Sequence, residues 1–153
     1  MKPVKLTIAE LDTESYHVFL TIYIEGFKCR FLLDTGASRT VIDKGFVLKK
    51  FGAKKVKTIQ RETSGLHSVV NETSLITINT MKIGVHDIKE HLFAAVDLSH
   101  VNNTYKKVNK PRIHGILGSD ILLIFGAVID YANKKMTLTP PVYKKSKKKQ
   151  RSN

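Results

Sequence analysis

The chain has 153 residues, enough for one domain with a sizeable core, and its composition is ordinary for a globular protein. The N-terminus lacks the apolar segment of a signal peptide, and no run approaches the roughly 18 apolar residues of a membrane span. The single cysteine, Cys29, excludes an intrachain disulfide. These features predict a cytoplasmic protein that does not contact a membrane.

The net charge of +13 is the unusual bulk property, and part of it lies at the C-terminus. This segment holds six basic residues and no acidic one: Lys144, Lys145, Lys147, Lys148, Lys149 and Arg151. Such a block predicts a solvated, disordered tail over residues 142–153, after a folded domain over residues 1–141. The alternative is a weak contact with nucleic acid or another acidic partner, since attraction to phosphate requires only charge.

The first elements predict a β-hairpin. Residues 16–24 are rich in β-branched and aromatic side chains, and Glu25-Gly26 is suited to a tight turn. Residues 27–33 then alternate between apolar and basic side chains, which is typical of a half-buried strand. Cys29 falls on the apolar side of this strand, so we expect a small buried hydrophobe there.

Further along, the pattern predicts a short helix and then more strands. Asp43 is placed to cap a helix over residues 44–51 that Gly52 closes. Residues 56–83 predict a long hairpin, and another strand follows over about 88–96. A polar connector with at most one helical turn leads to Pro111.

The last part of the domain predicts a strand, a short helix and a final hairpin. The strand ends at Gly118, and Ser119 is placed to cap a helix from Asp120 to Phe125. Gly126 ends that helix, and a hairpin turns at Ala132-Asn133. The whole chain is therefore predicted to be mainly β, with many short strands and one or two short helices.

One stretch carries chemistry. Asp34 begins an Asp-Thr-Gly tripeptide directly after the apolar residues Phe31, Leu32 and Leu33. The tripeptide alone is weak evidence for a catalytic site, because Asp and Gly both favour ordinary turns. A carboxylate at the end of a buried strand, however, enters surroundings that disfavour its ionisation unless donors surround it. This cost is more plausible for a functional carboxylate than for a turn residue.

The stretch "FLLDTGASRTVI" resembles the active-site pattern of the retropepsin-like aspartic proteases. A second element of that family is also present, in which two apolar residues and a glycine precede a short helix; here it is Ile116, Leu117 and Gly118 before "SDILLIF". The two motifs together are far more specific than either alone. The resemblance implies an acid-protease-like closed β-barrel of short strands.

The resemblance also implies roles for individual residues. Asp34 would be the catalytic carboxylate, and Thr35 would hydrogen-bond across the active site. Gly36 would donate its N–H near the carboxylate, and Ala37 would border the substrate main chain. The loop that contains Ser64, Gly65 and Leu66 would be a flap over the substrate.

Only one Asp-(Ser/Thr)-Gly tripeptide occurs in the chain. The resemblance therefore implies a homodimer in which two copies of Asp34 meet, with a peptide or protein as substrate and no cofactor. The function that it implies is an aspartic endopeptidase. The alternative from another class is a non-catalytic binding module of the same fold, recruited to RNA or an acidic partner by its tail.

The sequence departs from retroviral members of the family in several places. The ion pair that usually joins the two motifs is absent, because its positions hold Ser38 and Ser119; we expect Arg39 and Asp120 to replace it. The predicted flap holds one glycine, Gly65. The C-terminal part holds Pro140-Pro141 and a basic tail rather than an apolar strand, which predicts a dimer interface other than interleaved terminal strands.

The six histidines show no metal-ligand spacing, and no metal site is predicted. They are His17, His67, His86, His91, His100 and His114.

Overall fold

The computed structural model describes residues 2–62 and 70–141, with the side chains of residues 60–62 and 70–72 outside that description. The strands found there are β1 (Val4–Lys5), β2 (Thr7–Asp12), β3 (Ser15–Ile24), β4 (Phe27–Leu33), β5 (Val41–Asp43), β6 (Val56–Glu62), β7 (Val70–Ile83), β8 (His86–Val96), β9 (Gly115–Leu117), β10 (Val128–Asp130) and β11 (Lys135–Thr137). The α-helices are α1 (Lys44–Phe51), α2 (Ser99–Lys107) and α3 (Ser119–Ile124), and a single 3-10 turn covers Ala53–Lys55.

The predicted N-terminal hairpin is confirmed. Strands β3 and β4 pair antiparallel, with Ile24 opposite Phe27 at the turn and Phe19 opposite Leu32. Glu25 and Gly26 both have positive φ, 46° and 84°, as a two-residue turn between twisted strands requires. The alternation also holds, since Cys29 is buried and burial raises the pKa of its thiol to about 11.

Most strands form one sheet in the order β2-β3-β4-β9-β5-β8-β7-β6, and β3 also pairs with β7. The pairings from β3 through β4, β9, β5, β8 and β7 therefore return to β3 and form a closed ring of six strands. A smaller sheet has the order β1-β11-β10 and joins the two ends of the described chain. The mainly-β prediction is confirmed.

Residues 56–83 form the predicted long hairpin. Strands β6 and β7 pair from Val56 opposite Ile76 to Glu62 opposite Val70. The predicted flap residues Ser64, Gly65 and Leu66 lie in the segment 63–69, outside the described residues.

The predicted helix after Asp43 is confirmed as α1, which Gly52 ends with a φ of 82°. The connector before Pro111 differs from the prediction, because α2 is nine residues long rather than one turn. Its Tyr105 packs with Ala9, Phe19, Leu98 and Ile113 in a second, smaller core. This burial stabilises a helix whose polar sequence gave little local signal. No helix in the described part is long and apolar enough to cross a membrane.

Two more features differ from the predictions at the ends of the fold. Strands β1 and β2 add to the predicted elements, and Val4, Leu6 and Ile8 alternate there with the polar residues Lys5 and Thr7. Helix α3 begins at Ser119 itself, with Gly118 at the N-cap position and no side-chain cap. The Ser119 hydroxyl donates instead to the backbone carbonyl of Thr35, 2.7 Å away.

Candidate active site

Strand β4 delivers Asp34 to the site. The strand pairs in parallel with β9, so that Leu33 lies opposite Leu117, and the Asp34 N–H donates to the Leu117 carbonyl over 3.1 Å. The strand ends at this point, and Asp34 is half-buried. The carboxylate therefore lies at the end of a rigid strand with its backbone fixed by a second strand.

The Asp-Thr-Gly turn orients the carboxylate. The Gly36 N–H donates to Asp34 Oδ1 over 2.9 Å, and the Ala37 N–H donates to the Asp34 carbonyl over 3.1 Å. A Cβ at position 36 would lie 3.2 Å from the same Oδ1, closer than most real contacts. Glycine thus allows the N–H donor to approach, while the Thr35 side chain stays exposed.

The second motif crosses directly behind this turn. The Ser119 N–H donates to the Ala37 carbonyl over 2.8 Å, and the Ser119 hydroxyl bonds to the Thr35 carbonyl as described above. A Cβ on Gly118 would lie 2.7–2.8 Å from backbone atoms of Ala37 and Arg39. The two predicted motifs, 34–37 and 116–118, therefore lie together, and only glycine fits where they cross.

The expected pairing of Arg39 with Asp120 is wrong. Among the described residues Arg39 forms no ion pair, and its side chain is exposed. Asp120 Oδ1 accepts instead from the N–H of Thr40 over 2.9 Å and from its hydroxyl over 2.7 Å. The Thr40 hydroxyl in turn accepts from the Gly118 N–H over 3.0 Å. A buried threonine links the two motifs, because a short polar side chain there satisfies both partners at once.

Two aromatic neighbours of Asp34 were not predicted. The last observed pair of the β3–β4 register is Phe19 opposite Leu32, and an extension by two residues would set His17 opposite Asp34. His17 Nδ1 lies 2.8 Å from the hydroxyl of Tyr105, which α2 supplies. Burial raises the pKa of Tyr105. The positive charge of Arg30 opposes this shift, and the negative charge of Asp34 adds to it. The hairpin register could have indicated His17, but Tyr105 depends on where α2 packs.

No group of three or more His, Cys, Asp or Glu side chains in the described ranges is arranged to hold a metal ion. His114 has a structural role, since its Nδ1 accepts a hydrogen bond from the Arg30 N–H over 3.0 Å. The basic residues of the tail lie outside the described residues.

The fold and this site define the class of protein. The crossed motifs around an Asp-Thr-Gly turn are those of a retropepsin-like aspartic protease, as predicted. The chain belongs to the aspartyl protease family, whose model matches residues 20–121. No curated protein matches the sequence significantly. Family and fold together indicate a hydrolase of the protease type.

Solved structures agree on the fold. A retropepsin-like aspartic protease from Rickettsia conorii is 21% identical, with a TM-score of 0.53 over 89% of this chain and 94% of that one. The retroviral protease-like domain of Ddi1 from Leishmania major is 14% identical, with a TM-score of 0.51 over 82% of this chain and 93% of that one. At these identities the likeness concerns the fold.

Proposed function

We propose that the protein is an aspartic endopeptidase that hydrolyses peptide bonds as a homodimer, with Asp34 of each copy as the catalytic carboxylates. The observation that carries this proposal is the Asp34 turn. Its carboxylate accepts the Gly36 N–H over 2.9 Å at the end of a strand fixed by β9. An inert turn has no need of a backbone crossing that only glycine permits.

The dyad supplies the chemistry. Two carboxylates about 3 Å apart cannot both ionise, so they share one proton. The ionised carboxylate takes a proton from a bound water, which attacks the scissile carbonyl, while the protonated one polarises that carbonyl. The titration of the dyad belongs to the pair rather than to either copy of Asp34.

The other predicted site residues position the dyad and the substrate. Thr35, whose side chain is exposed in the single chain, would bond across the dimer axis and hold the two turns together. Ala37 would border the peptide main chain. The loop with Ser64, Gly65 and Leu66 would close over the peptide and exclude water.

The remaining assignments follow from the sequence. The protease domain would cover residues 1–141 and the basic tail residues 142–153. The cytoplasm suits a chain whose one cysteine is buried in the core.

Peptide-library cleavage tests the proposal. The parent protein and Asp34→Asn would be incubated with the library at acidic and neutral pH, with and without a pepstatin-like inhibitor. We expect cleavage by the parent only, abolished by the inhibitor. Asn keeps the shape of the side chain and its ability to accept the Gly36 N–H, so circular dichroism should show the same fold for both proteins.

Equal inactivity of both folded proteins at every pH would contradict the proposal. If RNA binding that depends on the tail accompanied this inactivity, the non-catalytic binding module would be the better interpretation. Light scattering adds a check, because a strict monomer at micromolar concentration would leave Asp34 without a second carboxylate.

A further inference from the structure

One concave region of the described residues does not include Asp34. It is a groove of about 950 Å³ between the N-terminal segment, the β3–β4 hairpin and the segment before β9. Its cationic lining residues define what we term the basic groove: Lys2, Lys5, Lys28, Arg30 and Arg112. Among the described residues, no Asp or Glu lines it. The groove therefore concentrates positive potential, which concave walls focus.

The positive surface continues past the hairpin. A neighbouring groove shares Lys28, Arg112 and His114 and adds Lys49 and Lys50 from α1. Among the residues that the structure describes, Arg112 pairs with one acidic side chain, Asp43, whose Oδ2 lies 3.1 Å from its Nη2. The cations thus form an extended track rather than a single point, which suits a linear polyanion more than a small one.

Exposed aromatic rings lie beside the cations. Tyr23 is 43% exposed and pairs across the strands with Lys28 on one side and Lys82 on the other. Phe27 is 41% exposed, and Lys50 Nζ lies 5.1 Å from its ring centroid. A polypeptide anion needs no such rings, whereas unpaired bases stack on them.

We propose that the basic groove and the neighbouring groove together bind single-stranded nucleic acid, with the phosphates along the cations. Bases would stack on Tyr23 in the basic groove and on Phe27 in the neighbouring one. Paired bases in a duplex are not free to stack on side chains, which favours a single strand. A membrane surface is flat and would not enter a concave groove.

The basic groove adjoins the small core beside the candidate active site but does not include Asp34. Phe19 lines the groove and packs on Tyr105, with ring centroids 5.5 Å apart. None of the residues that line the groove belongs to the turn 34–37. Along β4, Leu32 lies between Arg30 and Asp34, and it packs against the small core that α2 covers. Nucleic-acid binding would therefore recruit the protein without occupying Asp34, and it is independent of the proposed peptidase activity.

Fluorescence anisotropy with a labelled oligouridylate of about 12 nucleotides tests the proposal on the full chain. The combined variant Lys2→Gln, Lys5→Gln and Lys28→Gln should bind at least about tenfold more weakly. The slope of log affinity against log salt concentration should become shallower by about 2, because each of the three lost phosphate contacts accounts for roughly 0.7. The matched control is Lys54→Gln, Lys89→Gln and Lys107→Gln, which removes the same charge from exposed positions outside the grooves. It should bind like the parent.

Stacking is tested separately. Tyr23→Ala should weaken binding by roughly fivefold or more, whereas Tyr23→Phe, which keeps the ring, should not. Thermal melts would show that all variants fold. Unchanged affinity of Tyr23→Ala would overturn the assignment to nucleic acid, as would competition by oligoglutamate as strong as that by RNA of equal charge.

The tail needs its own control, because it is also basic. Replacing Lys144, Lys145, Lys147, Lys148, Lys149 and Arg151 by Gln in the full chain should leave groove-dependent binding, and the groove variant should weaken binding in that background too. If the tail-neutralised protein binds nothing while the groove variant binds like the parent, the proposal is wrong.

Discussion

At the residue scale, the positions that matter most are those where backbone meets backbone. Gly118 allows the second motif to contact the turn directly, and Gly36 allows the turn to approach the Asp34 carboxylate. The Thr40 hydroxyl donates to Asp120 and accepts from the Gly118 N–H, and this residue is only 1% exposed. Small residues thus hold the candidate site, where a larger side chain or an ion pair would not fit.

Gly118→Ala should destabilise the protein by about 1–3 kcal/mol and lower any peptidase activity, because the new Cβ would overlap backbone atoms that have little room to move. Gly45→Ala is the control. Its Cβ would lie 3.5 Å from Asp43 Oδ2, an ordinary contact within α1, so it should be neutral or stabilise by up to about 1 kcal/mol. Urea unfolding measures both, and similar values for the two variants would contradict the crowding argument.

His114 should make stability depend on pH. Burial lowers its pKa, and the charge of Arg112 adds to that effect. The unfolded state therefore binds more protons than the folded state. The contribution of His114 to the free energy of unfolding is complete above the unfolded pKa of about 6.5, and it decreases as the pH falls towards the lower folded pKa. The slope from this one group cannot exceed about 1.4 kcal/mol per pH unit.

The measurement is the free energy of unfolding between pH 5 and 8 for the parent and His114→Asn (roughly the range of histidine titration). Asn keeps an acceptor near the Arg30 N–H but does not titrate. The difference between the two proteins should shrink as the pH falls. Parallel curves would show that His114 does not titrate differently on folding.

At the element scale, Asp43 joins three segments. Its carboxylate accepts from the Phe46 N–H as the N-cap of α1, from the Leu98 N–H just before α2, and from Arg112, each over 3.1 Å. The side chain is 5% exposed, whereas that of Arg112 is 54% exposed. One buried carboxylate therefore fixes α1 relative to the start of α2.

Asp43→Ala should cost about 2 kcal/mol or more, since it removes a helix cap and leaves buried N–H groups without acceptors. Arg112→Ala should cost less, about 1 kcal/mol or below, because the buried carboxylate keeps both backbone donors and the Arg112 guanidinium itself is exposed. Chemical denaturation of the two variants decides the order. A larger loss for Arg112→Ala would mean that the ion pair, rather than the backbone bonds, stabilises the junction.

At the scale of the whole molecule, the proposed activity requires two chains. Equal amounts of the parent and Asp34→Asn would be mixed and given time to exchange subunits. Peptidase activity should fall to about one quarter of that of the same total amount of parent. Random pairing makes about half of the dimers mixed and a quarter fully mutant, and neither kind has two copies of Asp34. Independent monomers would retain about one half. Activity assays across mixing ratios distinguish the two outcomes.

Much of the fold could be predicted from the sequence because its signals are local. The turn at Glu25-Gly26, the cap at Asp43 and the end of α1 at Gly52 follow from backbone preferences. Helix α2 could not be predicted at its full length, since its stability comes from Tyr105 packing on Phe19 across the small core. The partner of β1 also depends on the tertiary structure, since β1 pairs with β11 from the other end of the described chain.

For the site, the order of residues was enough to predict that Asp34 follows a buried strand, that glycines stand at 36 and 118, and that one chain holds a single such motif. That Thr40, and not Arg39, pairs with Asp120, and that Tyr105 of α2 bonds to His17, depended on how the folded chain packs. The reason is physical. Backbone conformation is set by neighbours in the chain, whereas the partner of a side chain depends on which distant strand or helix packs beside it.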